Sequence, residues 1–151
     1  MTSAFSAFLH HVAAFTVFAC AVLSLVLLQL KFNLRVAKQL QHTDMVNGIA
    51  ATLVLLIGMI RIFYTEKGAD YYFHNVPFLA KLTLYGLASI LSIVPTLEIF
   101  RWRKTLNQGQ LPVVNDIKVG QLRAVAIGQV LCILGMMLCA SLAARGIGSM
   151  G

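Results

Sequence analysis

Residues 5–30 read FSAFLHHVAAFTVFACAVLSLVLLQL, a run without a single Lys, Arg, Asp or Glu. A helix needs about 20 mostly apolar residues, at about 1.5 Å rise each, to cross the hydrocarbon core of a bilayer. This stretch meets that length, and three others do the same at 45–64, 76–100 and 119–144. Four spans joined by short connections use nearly all of the 151 residues. The sequence therefore predicts an all-α, integral membrane four-helix bundle with a single domain over 1–151.

The totals agree. Mean hydropathy is +0.83. Charged residues make up 11 % of the chain, against about 25 % in soluble domains. The net charge of +7 does not imply nucleic acid as a partner. Lys31, Arg35, Lys38, Arg101, Arg103, Lys104 and Lys118 cluster in the first and third connections, where cations sit beside anionic headgroups and set topology. By the positive-inside rule that side is cytoplasmic, and both termini face the periplasm of a bacterial inner membrane. No Lys or Arg precedes the first apolar run, which continues to Leu30, so it reads as a retained helix rather than a signal peptide. Cys20, Cys132 and Cys139 all fall within spans, an odd count that argues for packing residues over a disulfide framework.

Between the spans, 31–44 is amphipathic and either lies along the headgroups or extends a helix. Asp44 is placed to N-cap the second helix. Residues 65–75 carry Tyr71, Tyr72 and His74, an interfacial composition. Pro77 suits a first helical turn, whereas Pro95 lies inside the third span and predicts a kink. Arg101-Trp102-Arg103-Lys104 reads as an aromatic anchor among cations at that helix's end. Glu98 is positioned to pair with Arg101 or Arg123. The fourth helix ends near Arg145, before a Gly-rich tail expected to fray.

In lipid, helices associate through small residues and polar contacts. The first helix offers Ser3, Ala7, His10, Ala14, Val17, Ala21 and Ser24 on one stripe, with Phe8, His11 and Phe15 on the next. His10 is thus expected to face the bundle. The second helix presents Gly48, Ala51, Leu55, Gly58 and Arg61, and the third Lys81, Tyr85, Ala88, Ser92 and Pro95. The fourth presents Gly120, Ala124, Gly128, Cys132 and Met136. His10, Arg61 and Lys81 share one membrane depth. Intramembrane ionisable residues are costly and mark function by default. An imidazole beside two cations suits a ligand carrying a metal and carboxylates. Haem b meets that description, with His10 as axial metal ligand and Arg61 and Lys81 on the propionates. Snorkelling cations and a hydrogen-bonded interior histidine are the plainer alternative. Met136-Met137 raises copper with His10. The sequence contains no Gly-rich phosphate loop, HExxH or nucleophile elbow, which disfavours hydrolase and nucleotide-driven chemistry.

Several segments resemble a family of small bacterial membrane proteins, domain of unknown function 2214. They are Leu9-His10-His11, Arg61-Ile62-Phe63-Tyr64, Glu66-Lys67-Gly68, Phe78-Leu79-Ala80-Lys81-Leu82 and Pro95-Thr96-Leu97. That resemblance implies four helices and no specific activity. More remotely, His10 followed by Phe18-Ala19, and Lys81-Leu82-Thr83, resemble the superfamily of CopD-like copper proteins and the HemJ-type protoporphyrinogen oxidase. It implies a haem-ligand role for His10 and a functional role for Lys81. The oxidase carries a histidine two positions before that lysine, where this chain has Leu79. Three functions stand open on this reading. The first is haem b binding with electron transfer or porphyrinogen oxidation. The second is an accessory subunit, in a homo-oligomer or a larger membrane complex. The third is copper or small-solute handling.

Overall fold

A computed structural model describes residues 2–65 and 74–148. Glu66, Lys67, Gly68, Asp70, Tyr71 and Tyr72, read above as part of an interfacial connection, lie outside the described residues. Four helices account for most of the rest: α1 (Thr2–Leu27), α2 (Leu34–Ile60), α3 (Val76–Asn107) and α4 (Asp116–Ala144). All four are long and apolar enough to span a membrane.

Three of the helices begin from an asparagine. Asn33 Oδ1 accepts from Val36 N at 2.9 Å, Asn75 Oδ1 from Phe78 N at 3.0 Å, and Asn115 Oδ1 from Ile117 N at 2.7 Å. Each holds an extended backbone and satisfies an N–H that the helix itself leaves orphaned. This moves the start of α2 back from the sequence expectation. Asp44 does not cap that helix; it lies well inside it, because the amphipathic segment continues the helix outward and the true cap is Asn33. Replacing Asn33 with alanine should cost about 1 kcal/mol of stability, the usual cost of losing an N-cap. Thermal unfolding in detergent checks it, with the exposed Gln29→Ala as a control expected to be silent.

Three of the helices, α2, α3 and α4, are also longer than their apolar runs. At about 1.5 Å per residue, α3 reaches roughly 48 Å against a hydrocarbon core of about 30 Å. It passes through Pro95 as one helix and ends at Asn107, past the Arg101–Lys104 segment. Trp102 is not an interfacial anchor. It is 4 % exposed, stands edge-on to Phe32 at 5.4 Å, and donates its indole N–H to Glu98 at 3.1 Å. Glu98 also pairs with Arg101 at 3.5 Å and Lys118 at 3.9 Å.

Helix α1 packs along α2, and α3 along α4. These two hairpins meet through α1–α4 and α2–α3, and neither diagonal pair is in contact, so the bundle is a square in cross-section. Within the second hairpin, Gly128 and Gly135 of α4 open slots for leucines of α3. A Cβ at Gly128 would lie 3.3 Å from Leu91 Cδ1, and one at Gly135 3.0 Å from Leu84 Cδ1. Between the hairpins, three side-chain hydrogen bonds add polar links to the apolar packing. Tyr85 donates to the Ala51 carbonyl at 2.9 Å, Thr96 to Asp44 at 2.9 Å, and Arg123 to the Leu28 carbonyl beyond α1 at 2.8 Å.

The apolar core is concentrated at the end bearing the two short connections. Leu27, Leu28, Leu40, Ile99, Trp102, Leu106 and Leu122 meet there. At the opposite end, residues 145–148 past α4 turn back toward the start of α3. Gly146 and Gly148 take positive φ, and the Gly148 carbonyl accepts from Val76 N at 3.0 Å. A side chain at Gly148 would stand 2.8 Å from Pro77 Cδ, so only glycine fits this contact without a shift. The outer surface is apolar over its length, with Phe8, Phe15, Ile90, Ile93, Leu97 and Leu131 exposed, as lipid contact requires.

Candidate functional site

The site begins where α2 stops being a regular helix. Arg61–Thr65 form a π-helical turn, a widening often found where a chain positions functional groups. Arg61 opens that turn and is half-buried. One turn earlier, Gly58 removes the side chain that would otherwise meet His10, since a Cβ there would lie 3.3 Å from His10 Cε1. The imidazole of α1 therefore rests directly on the α2 backbone. The Val54 carbonyl lies beside the ring, yet the buried Nδ1 makes no well-formed hydrogen bond. His11 points away: it is exposed, and its Nδ1 is 2.6 Å from the Ala7 carbonyl.

Lys81 lies on the inner face of α3, diagonally across the bundle from α1. Its charge and that of Arg61 both act on His10, and Lys81 also feels Arg61 and Cys139 of α4. The structure thus brings His10, Arg61 and Lys81 within electrostatic reach of one another, and adds Cys139, which the stripe pattern had not singled out for this site. The three cysteines are free. Among the described residues no three of His, Cys, Asp and Glu converge as a metal-ligand group. The donor set at this end is one imidazole and two cations.

Two cavities run along the bundle axis inward from this cluster. The first, about 30 Å³, is lined by Ser24, Asp44, Asn47, Pro95, Trp102 and Gln129, among others. The second, about 80 Å³, shares Ala21, Asn47 and Gln129 with it and adds Tyr85, Ser92, Thr96 and Met136. Neither includes His10, Arg61 or Lys81.

Over residues 2–148 the sequence matches the family described as predicted membrane protein (DUF2214). The chain belongs to this family. No curated protein and no solved structure matches it. For this DUF2214 protein the inner faces of α1 and α3 are those the small-residue stripes indicate, except at Ser3, which is exposed: Ala7, His10, Ala14, Val17 and Ala21, and Lys81, Tyr85, Ala88 and Ser92, are all at least half-buried. The other two stripes need correcting. On α2, Gly48 and Leu55 are exposed, and Asp44, Asn47, Val54 and Gly58 turn inward with Ala51 and Arg61. On α4, Gly120 and Ala124 face outward, and Leu122, Ala126, Gln129, Cys132 and Ile133 form the buried face. Sequence reading missed Asp44, Asn47 and Gln129 as interior groups. The available signal was Asn33: a helix begun there places residues 40, 44, 47, 51, 54 and 58 on one face at three-to-four spacing.

Proposed function

We propose that this membrane protein binds haem b at the end of the bundle that carries the termini, and serves electron transfer or porphyrinogen oxidation there. The observation that supports the reading is the convergence of His10, Arg61 and Lys81 from three elements, with His10 Nδ1 making no hydrogen bond among the described residues. The remote likeness to the HemJ-type oxidase runs through two of the same residues, His10 and Lys81. His10 would supply a nitrogen to the iron, and Arg61 and Lys81 would give charge-assisted contacts to the propionates. Haem, when bound, supplies one-electron chemistry. Ligand pockets commonly occupy about 300–1,000 Å³. The two axial cavities are far smaller, and neither reaches His10, so the ligand belongs at the mouth of the bundle, open to lipid. The seven cations at the opposite end support a cytoplasmic setting for that end, and with it a site in the outer leaflet of a bacterial inner membrane.

The visible spectrum of protein purified in detergent from haem-replete cells tests this reading. A Soret band is expected. His10→Ala should abolish it, and His11→Ala should leave it in place. A colourless preparation that gains no band when haemin is added rules the cofactor out.

One observation favours a second reading, that of an accessory subunit. Gly120 has nothing within 4 Å of where its Cβ would lie, and Ala124 is exposed on the same outward face of α4. Small residues turned toward lipid let a further helix approach closely. A stoichiometric partner that co-purifies with the wild type and is lost with Ala124→Phe would support it.

A further inference from the structure

Asp44 brings a carboxyl group to the inner face of α2, and among the described residues no cationic side chain pairs with it. Among the described residues its carboxylate has one hydrogen-bond partner, the Thr96 hydroxyl at 2.9 Å, and no charged side chain contributes to its electrostatic surroundings. Two charged groups of the neighbouring helices, Glu98 and Arg123, have partners of their own. Glu98 is held by Trp102, Arg101 and Lys118, and Arg123 by the Leu28 carbonyl. A partly buried carboxylate with no counter-charge is unfavourable, and a cation or a proton relieves it.

The surroundings say which. The cavity at Asp44, about 30 Å³, exceeds the roughly 10–15 Å³ that one water-sized occupant needs. Its polar lining is oxygen-rich and comes from three helices: Ser24 of α1, Asp44 and Asn47 of α2, and Gln129 of α4, which is 9 % exposed. Thr96 of α3, bonded to Asp44, brings in the fourth. Asn47 Oδ1 is buried and accepts no hydrogen bond. Pro95 lines the same cavity, and its missing N–H leaves the Leu91 carbonyl without its helical donor on that turn. No sulfur or imidazole joins the lining. One carboxylate among neutral oxygens is the ligand set of a hard cation of single charge. In membrane proteins such ions are held near the centre of the bundle by carbonyls released from broken helical bonding.

We infer that Asp44, Asn47, Thr96 and Gln129 form a binding site for a monovalent alkali cation, sodium, at the junction of the two hairpins. This inference does not depend on the haem reading, which concerns the other end of the bundle. The ion neutralises Asp44 and satisfies Asn47 Oδ1 together, and because its ligands come from both hairpins it favours their association.

The protein contains one tryptophan, Trp102, and it lines this cavity. Its fluorescence and the unfolding temperature of the detergent-purified chain are therefore the readouts, with NaCl titrated against choline chloride at constant ionic strength and pH. Sodium should shift both saturably and choline neither. Asp44→Asn should lose the saturable response, and Thr96→Val should move its midpoint several-fold higher in sodium. Should Asp44→Asn not purify, equilibrium binding of radioactive sodium to the wild type decides, with about one ion per chain expected. Identical responses to the two salts, a saturable response kept by Asp44→Asn, or no bound sodium would each overturn the site. Any of the three would show the carboxylate to be neutralised by a proton or hydrated by water alone.

Discussion

Gly58→Leu is expected to eliminate the haem band while leaving four membrane-spanning helices. A Cβ at this position already comes within 3.3 Å of His10 Cε1, and the branched carbons beyond it would occupy the space of the imidazole itself. Overpacking of this kind costs about 1–3 kcal/mol. Spent on displacing one ligand, that is roughly a ten- to hundredfold loss of affinity at 1.4 kcal/mol per decade. The backbone has no reason to fail, because leucine favours a helix over glycine by up to about 1 kcal/mol. Gly58→Ala should weaken binding only mildly, since a ring shift of a few tenths of an ångström relieves it. Gly86→Leu, where nothing lies within 4 Å, should bind as wild type. Haemin titration followed by absorbance gives the three affinities. If Gly58→Leu titrates like Gly86→Leu, the ligand does not sit on His10.

The second large effect is on stability. Leu122 is 2 % exposed and belongs to the cluster with Leu27, Leu28, Ile99, Trp102 and Leu106. Leu122→Ala removes atoms from the buried apolar cluster at the connection end and should cost about 2–5 kcal/mol. Leu131 is on the same helix but 63 % exposed, and Leu131→Ala should stay within about 0.5 kcal/mol. Denaturant unfolding in mixed micelles, read by Trp102 fluorescence, compares the two. Equal losses would mean that the connection end does not hold the bundle together.

The fold class was legible because a bilayer imposes a length and a polarity that few other environments demand. Apolar runs at 5–30, 45–64, 76–100 and 119–144 correspond to α1–α4. What the runs could not show was where helices continue beyond lipid. Leu34 to Asp44 looks like a polar connection by composition, yet it satisfies the periodicity of α2 once Asn33 caps it. The same error of register hid Asp44, since a residue taken for a cap is not considered as an interior group. Trp102 was misread for a related reason. Its cationic neighbours Arg101 and Arg103 face outward, while it lies on the inner side of a helix that protrudes past the membrane. On α4, small residues occur on two faces, and only the leucines of α3 decide that Gly128 packs inward and Gly120 does not. His10, Arg61 and Lys81 could be placed because each lies on an otherwise apolar helix, where a lone polar residue is conspicuous. Cys139 carries no such signal.

The division of labour between the two kinds of seam has a bearing on biogenesis. Each half of the molecule, α1 with α2 and α3 with α4, closes on small-residue contacts that can form as soon as both its strokes have left the translocon. The bonds of Tyr85 to Ala51, Thr96 to Asp44 and Arg123 to Leu28 all run from one half to the other. Until the second half arrives, Asp44 and the Leu28 carbonyl must be served by headgroups or by water drawn into the bilayer. Insertion is therefore completed by exchanging that borrowed hydration for partners within the chain.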